Sequence, residues 1–364
     1  MSSKRIIPFS ISSMDSMGQG VSKETDKITF IAKTMTGDSG EAEILSEKKG
    51  VAFAKVTTLT HASPQRIEPV CPHFEVCPSC HYLHIGYEQE LLIKKENLQG
   101  LLRKLPVPAI DVIPALRRLG YRNRIQLHYD RRERSLGMFD QKKNKIVEVP
   151  SCRIGVEAIG AEVRRLYAGQ TWLLEAPEHP VTGHVEIYQL EGSLKVTWNR
   201  PYAEGGFTQV FKEMNQKLIE LLGEELKDPA GILDLFAGNG NLSASLNYSN
   251  RLCVDIYQGQ TGIGFLNQNL YDPSALKIVK KAIAQIALPV KTLLLDPPRS
   301  GFKELGEWLQ ALRPQTVAYV SCDPHTLARD MMVPSEYNIK KVCLIDFFPS
   351  TFHYESVVLL ERKK

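Results

Sequence analysis

Ile232-Leu233-Asp234-Leu235-Phe236-Ala237-Gly238-Asn239-Gly240-Asn241 is the stretch whose reading decides the fold. An apolar run ends in a glycine-rich turn, and the turn is predicted to open a helix. Glycine lets the backbone approach a ligand closely, and a helix N-terminus offers free N–H groups. Leu252-Cys253-Val254-Asp255 reads as the next strand, closing on a carboxylate that can hold ribose hydroxyls. Asp255 follows Asp234 by 21 residues, which suits one strand–helix–strand step. A structural turn is the plainer reading of a lone Gly-rich segment; the flanks here favour a nucleoside site with Phe236 beside it.

Two further strand ends carry matching signals. Thr292–Leu295 runs into Asp296-Pro297-Pro298-Arg299, where two prolines hold the chain extended at the mouth of the sheet. Thr316–Val320 runs into Ser321-Cys322-Asp323-Pro324-His325-Thr326, placing a thiol at a sheet rim. From about Phe207 strands and helices alternate, which predicts an α/β, Rossmann-like doubly wound parallel sheet. Lys341–Phe347 and Glu355–Glu361 are expected to pair antiparallel at one edge of it.

A thiol at a rim suggests covalent chemistry. Uracil C5 is too weak a nucleophile to attack a methyl sulfonium unaided. A thiolate added to C6 makes C5 an enolate carbon, and a base must then remove the C5 proton. Cys322 is the candidate nucleophile; Cys253 and Cys343 lie inside strand patterns and read as small buried hydrophobes. Glu355, in Phe348-Pro349-Ser350-Thr351-Phe352-His353-Tyr354-Glu355, is the candidate base. Taken alone, that glutamate reads as a surface residue; the constellation argues for it. Arg299 replaces the stacking aromatic expected in amino-group methylases, which argues against an exocyclic nitrogen target.

The rest of the 364-residue chain bounds the setting. It has 43% hydrophobic and 24% charged residues, an ordinary soluble balance, and no apolar run long enough for a membrane. Without a signal peptide, a cytoplasmic location and a monomer are expected. Residues 1 to about 26 are expected to be loose, and short strands within residues 27–61 predict a small, partial OB-type β-unit. Residues 71–205 read as a cysteine-bearing loop and an antiparallel α+β domain, and residues 206–364 as the catalytic domain. Net charge is only +4, but Arg117, Arg118, Arg122, Arg124, Arg131, Arg132 and Arg134 crowd together among Tyr121, His128, Tyr129 and Phe139. A solvated face is the plain reading; a surface for unpaired RNA bases, with Arg122 and Arg124 in contact, is the sharper one. Cys71, Cys77 and Cys80, with Cys152 further on, suggest a metal site rather than disulfides. Spacing alone leaves zinc and an iron–sulfur cluster open, with His73, His81 and His84 as spare ligands.

These residues resemble the RNA uracil-C5 methyltransferases, which make 5-methyluridine in 23S ribosomal RNA and in transfer RNA. Ser321-Cys322 to Asp330 is similar to the family's nucleophile motif, and Phe348 to Glu355 to its base motif. The resemblance implies S-adenosylmethionine as donor, with Gln209, Phe236, Asn241, Asp255, Asn269 and Asp296 around it and Phe207 near the target base. It also implies that Cys71, Cys77, Cys80 and Cys152 hold a [4Fe–4S] cluster, carried by the ribosomal-RNA branch. Residues 27–61 resemble part of the family's N-terminal TRAM barrel. Three features depart from the pattern: that incomplete barrel, Phe211 where asparagine is usual, and a short stretch between Asp255 and Asn269. The implied activity is uridine-C5 methylation of 23S RNA. Alternatives are a transfer-RNA uridine enzyme, a cytosine-C5 enzyme and a non-catalytic iron–sulfur RNA-binding protein.

Overall fold

Five strands open the chain: β1 (Ile6–Met14), β2 (Gln19–Ser22), β3 (Ile28–Ala32), β4 (Ser39–Lys48) and β5 (Val51–His61). A computed structural model describes residues 5–190, 192–202, 208–226, 230–246, 250–256, 264–332 and 336–363. The five strands form a closed barrel in the order β1-β2-β3-β5-β4. This corrects two expectations, a loose N-terminus and a partial barrel. Ile7, Phe9 and Ile11 alternate inward from β1 onto Ile31, Ala42 and Ala54. Pairing of β1 with β4, from Ile6↔Glu43 to Ser10↔Ser39, removes the open edge. Pro8 and the serines mask this period-2 pattern in the sequence.

The chain continues through α1 (Tyr87–Leu102), β6 (Ile110–Ile113), β7 (Arg124–Asp130), β8 (Ser135–Asp140), β9 (Lys145–Val147), α2 (Glu157–Tyr167), α3 (Trp172–Glu175), β10 (Thr182–Leu190) and β11 (Ser193–Trp198). Strands β11-β10-β7-β8-β9 make an antiparallel sheet. Its inward residues Ile125, Leu127, Tyr129, Val185 and Ile187 pack on Ile159, Val163, Leu166 and Trp172. One face is therefore apolar and covered, as alternation requires.

The remaining elements are α4 (Lys212–Glu225), β12 (Ile232–Leu235), β13 (Arg251–Asp255), β14 (Phe265–Asn267), α5 (Ala275–Gln285), β15 (Thr292–Leu295), α6 (Leu305–Leu312), β16 (Thr316–Ser321), α7 (Pro324–Asp330), β17 (Tyr337–Ile345) and β18 (Glu355–Arg362). They build an eight-stranded Rossmann-like sheet in the order β14-β13-β12-β15-β16-β18-β17-β6. Strands β12 and β15 are buried along their length, as parallel strands covered on both faces must be. The expected antiparallel pair β17–β18 forms, but β6 adds in parallel outside β17 and takes the edge.

Two compact units result, rather than the three domains expected. One comprises Met1–Asn97, Arg117–Glu204 and Phe348–Phe352; the other comprises Leu98–Leu116, Gly205–Phe347 and His353–Lys364. The barrel and the antiparallel sheet thus belong to one unit, and β6 joins the other.

Candidate active site at the carboxyl edge of the sheet

Strand register gathers the candidate residues. Leu235 pairs with Val254 and Leu295, Leu295 with Tyr319, and Ser321 with Ser356. Phe236, Asp255, Asp296 and Cys322 therefore leave the sheet at one edge. Because β18 runs antiparallel, its first residue, Glu355, begins at that edge too. This is where open α/β sheets place ligands.

Cys322 sits in the turn between β16 and α7. Asp323 caps α7, its Oδ1 accepting from the His325 and Thr326 N–H groups at 2.9 and 3.2 Å, and Pro324 occupies the first turn. Ser321 Oγ donates to Asp323 O at 3.0 Å. The thiol's neighbours on both sides are thus locked. Burial, then the Glu355 and Asp296 carboxylates, push the Cys322 thiol up to about 12, while Arg299 pulls it down. Glu355 is buried, 4% exposed, and its Oε2 meets no hydrogen-bond partner among the described residues. Burial and Asp296 raise it well above the usual carboxylate range, and Arg299 again opposes. Burial raises Asp296 to about 7. One thiol, two carboxylic acids and one guanidinium thus share a field. Arg299 Nη2 lies 3.5 Å from His353 Nε2.

The glycine-rich loop borders this cluster. Phe236, Gly238 and Gly240 all have positive φ, at 58°, 54° and 74°, so the backbone turns sharply at the end of β12. Phe236 is the non-glycine among them, and its strain is held by ring contacts to Phe302 at 5.1 Å and Tyr271 at 5.5 Å. Gly238 N–H donates to Asp255 Oδ2 at 2.8 Å, fixing that carboxylate across the loop. Asn241 exchanges two side-chain hydrogen bonds with Asn215 of α4, at 3.0 and 2.9 Å. The expected helix after this loop is replaced by turns, with one helical hydrogen bond from Ala244 N–H to Gly240 O. Within 241–246 the polar side chains bond away from the turn, Asn241 to Asn215 and Ser243 Oγ to Cys253 Sγ at 3.6 Å. Asn269 is exposed, and its Oδ1 caps its own turn at Tyr271 N–H, 3.0 Å away. Gln209 is half-buried beside Val210 and Phe211, while Phe207 lies outside the described residues. Phe211 itself is wholly buried at the start of α4, which has no side-chain cap there.

A family model described as tRNA (Uracil-5-)-methyltransferase matches residues 274–363, the segment carrying Asp296, Cys322 and Glu355. A 23S rRNA (uracil(1939)-C(5))-methyltransferase of Shewanella frigidimarina is 28% identical, the match covering 98% of this chain and 95% of that protein. The enzyme of the same name from Vibrio parahaemolyticus is 27% identical over 96% and 94%. Over nearly its whole length the chain is thus similar to RNA uracil-C5 methyltransferases. The Shewanella alignment runs over 442 positions, so that relative of the family carries segments this 364-residue chain lacks. The fold of the Pyrococcus abyssi tRNA (uracil-54, C5)-methyltransferase, solved with S-adenosyl-L-homocysteine, covers 97% of this chain and 99% of its own, at a TM-score of 0.70 and 18% identity.

In this chain, Cys71, Cys77, Cys80 and Cys152 line one small cavity. Burial raises the Cys80 and Cys152 thiols, and the neighbouring cysteines raise them further. The Ile154 and Gly155 N–H groups oppose this at Cys152, as donors to a thiolate do. Among the described residues, no group of His, Cys, Asp or Glu stands close enough to grip a single metal ion.

The RNA-contact expectations need correction. Arg124 is 5% exposed, paired with Glu186 at 2.7 Å and stacked on Tyr188 at 4.0 Å. Arg122 donates from Nε to Arg124 O, and Arg118 and Arg131 donate to internal carbonyls. Tyr121 and Tyr129 are core residues. Arg118, Arg122, Arg124 and Arg131 thus act as internal braces, their guanidinium groups meeting carbonyls and a carboxylate, while Arg117, Arg132 and Arg134 stay exposed. The reading also missed Asp330. Its carboxylate accepts from Tyr319 Oη and Phe302 N–H, both at 2.6 Å, tying the Cys322 strand to the aromatic wall. The Asp323-Pro324 cap was the available signal for the locked turn.

Proposed function

We propose that the protein transfers methyl from S-adenosylmethionine to C5 of a uridine in 23S ribosomal RNA. The observation that carries this reading is the register that sets Cys322 and Glu355 at one sheet edge beside Asp296. The near-full-length relatives named for 23S RNA favour that substrate over transfer RNA. A carboxylate partner, rather than a second thiol, favours uracil over cytosine. An unpaired or flipped-out uridine is needed, since the thiolate approaches the ring face.

Cys322 Sγ gives up its proton to solvent water and bonds to C6; the C5=C6 electrons move toward O4, and C5 becomes nucleophilic. C5 would then take the methyl group from the bound sulfonium, whose sulfur keeps the bonding electrons and leaves as a neutral thioether. Glu355 then accepts the C5 proton, the C6–S bond breaks, and the double bond returns. A buried carboxyl already raised in affinity for protons suits that last step. Arg299 limits the charge cost of a thiolate and a carboxylate in one cleft. Gly238, Asp255, Phe236 and Asn241 would hold the donor's nucleoside, and Asp296 would face its sulfonium. Gln209 would touch the donor as well. Cys71, Cys77, Cys80 and Cys152 would ligate a [4Fe–4S] cluster with a structural role in the unit that carries the barrel.

The test uses 5-fluorouridine 23S RNA with donor. Fluorine at C5 cannot leave as a proton, so a covalent protein–RNA species should accumulate, and Cys322→Ala should abolish it. Persistence of that species in the variant refutes the nucleophile.

A further inference from the structure

Glu90 and Lys94, on consecutive turns of α1, are 0% and 1% exposed and ion-paired at 2.8 Å. The reaction as described uses neither. Burying two charges is costly unless every oxygen and proton has a partner. Here the partners are mostly one short segment. Ser350 N–H donates to Glu90 Oε1 at 2.7 Å, and Lys94 Nζ donates to Phe348 O at 3.4 Å. Arg118 Nη2 closes the carboxylate's other oxygen at 2.9 Å. Tyr121 Oη donates to Pro349 O at 3.1 Å. The Ser350 carbonyl accepts from the His81 and Tyr82 N–H groups, at 2.7 and 3.1 Å, directly after Cys80.

Ser350 itself is wholly buried, with φ at 70°. A non-glycine residue in the left-handed region persists only where its surroundings over-determine it. Both its backbone polar groups are fixed, one by a buried carboxylate and one by two amides. The segment Phe348–Phe352 packs with the unit containing Glu90, and the chain then reaches Glu355 after only His353 and Tyr354.

We propose that Glu90, supported by Lys94, is a positioning residue that fixes the Phe348–Phe352 segment and thereby sets the aim of Glu355. The inference rests on Glu355 being the base of the proposed reaction. It assigns a kinetic step. Loosening the segment should spare attack by Cys322 and methyl transfer, which do not need the base, and slow proton removal.

The full-length Glu90→Gln protein and the volume-preserving pair Glu90→Gln/Lys94→Met are compared with the parent on two RNAs. One is an unmodified 23S transcript, which needs all steps. The other is the same transcript made with 5-fluorouridine, which reports attack and methyl transfer only. Amide hydrogen exchange of residues 348–352 is followed in parallel. Expected are adduct formation within about threefold of the parent, turnover of the unmodified RNA lowered tenfold or more with its KM little changed, and faster exchange at Ser350. Equal losses on both RNAs, or unchanged turnover and exchange, overturn the positioning role. Glu355→Gln is the control. Normal turnover by it refutes the base and the inference together, whereas slow turnover by it with normal turnover by the Glu90 variants refutes the inference alone.

Discussion

At the scale of single residues, the site is an electrostatic arrangement that favours protons. Cys322 is pushed up to about 12, so at neutral pH it is a thiol. Its alkylation by iodoacetamide should be slower than that of a free cysteine at pH 7. It should rise about tenfold per pH unit to beyond pH 9, since only the thiolate reacts. Mass spectrometry of the 322 peptide reads this directly. A rate already flat at pH 8 contradicts the assignment. Asp234, 1% exposed, is raised to about 7, with burial as the main cause and Asp296 and Asp255 adding to it. A carboxyl whose folded pKa lies above its unfolded one contributes stability below about pH 4, and that contribution is lost as pH rises to 7. Asp234→Asn should therefore be neutral near pH 4 and stabilising at pH 8 by up to about 4 kcal/mol, measured by urea unfolding. Cys322 and Glu355 were legible as candidates because their motifs are local. The perturbation of their protons was not, because it comes from groups that the chain supplies from distant strands.

At the scale of elements, short connections hold the reacting groups. The Asp323 cap fixes the turn after Cys322. Asp323→Ala should cost about 1 kcal/mol and lower the rate of 5-fluorouridine adduct formation severalfold, while Asp323→Ser restores most of both. If adduct formation is unaffected, the cap does not aim the thiol. In β4, a Cβ on Gly40 would stand 2.0 Å from Thr58 O. Gly40→Ala should destabilise the barrel by more than about 1 kcal/mol, seen as a lower thermal midpoint. Strand–helix alternation, β12, β15, β16 and the β17–β18 pair were readable from apolar runs and turn residues. The helix after Gly240 was wrongly expected: the described residues that follow, 241–246, form turns, and Asn241 and Ser243 bond to distant partners instead. Strand β1 was hidden by Pro8, and β6 by its brevity, since four residues show no period.

At the scale of the whole molecule, the chain forms two units, each assembled from three separate segments. Anaerobically purified protein should contain iron and acid-labile sulfide, and replacing Cys71, Cys77, Cys80 and Cys152 together by serine should remove both. Stoichiometric zinc in their place would reject the cluster. The sequence by itself determined the Rossmann-like class and singled out Cys322 and Glu355 as candidates, because residue type and short-range spacing carry those signals. Only the tertiary structure decided that the barrel closes, that Arg124 is spent on Glu186, and that Phe348–Phe352 is held by a buried ion pair. Each of those depends on which distant backbone meets which side chain. Pairing across tens to hundreds of residues leaves no periodic trace in the chain.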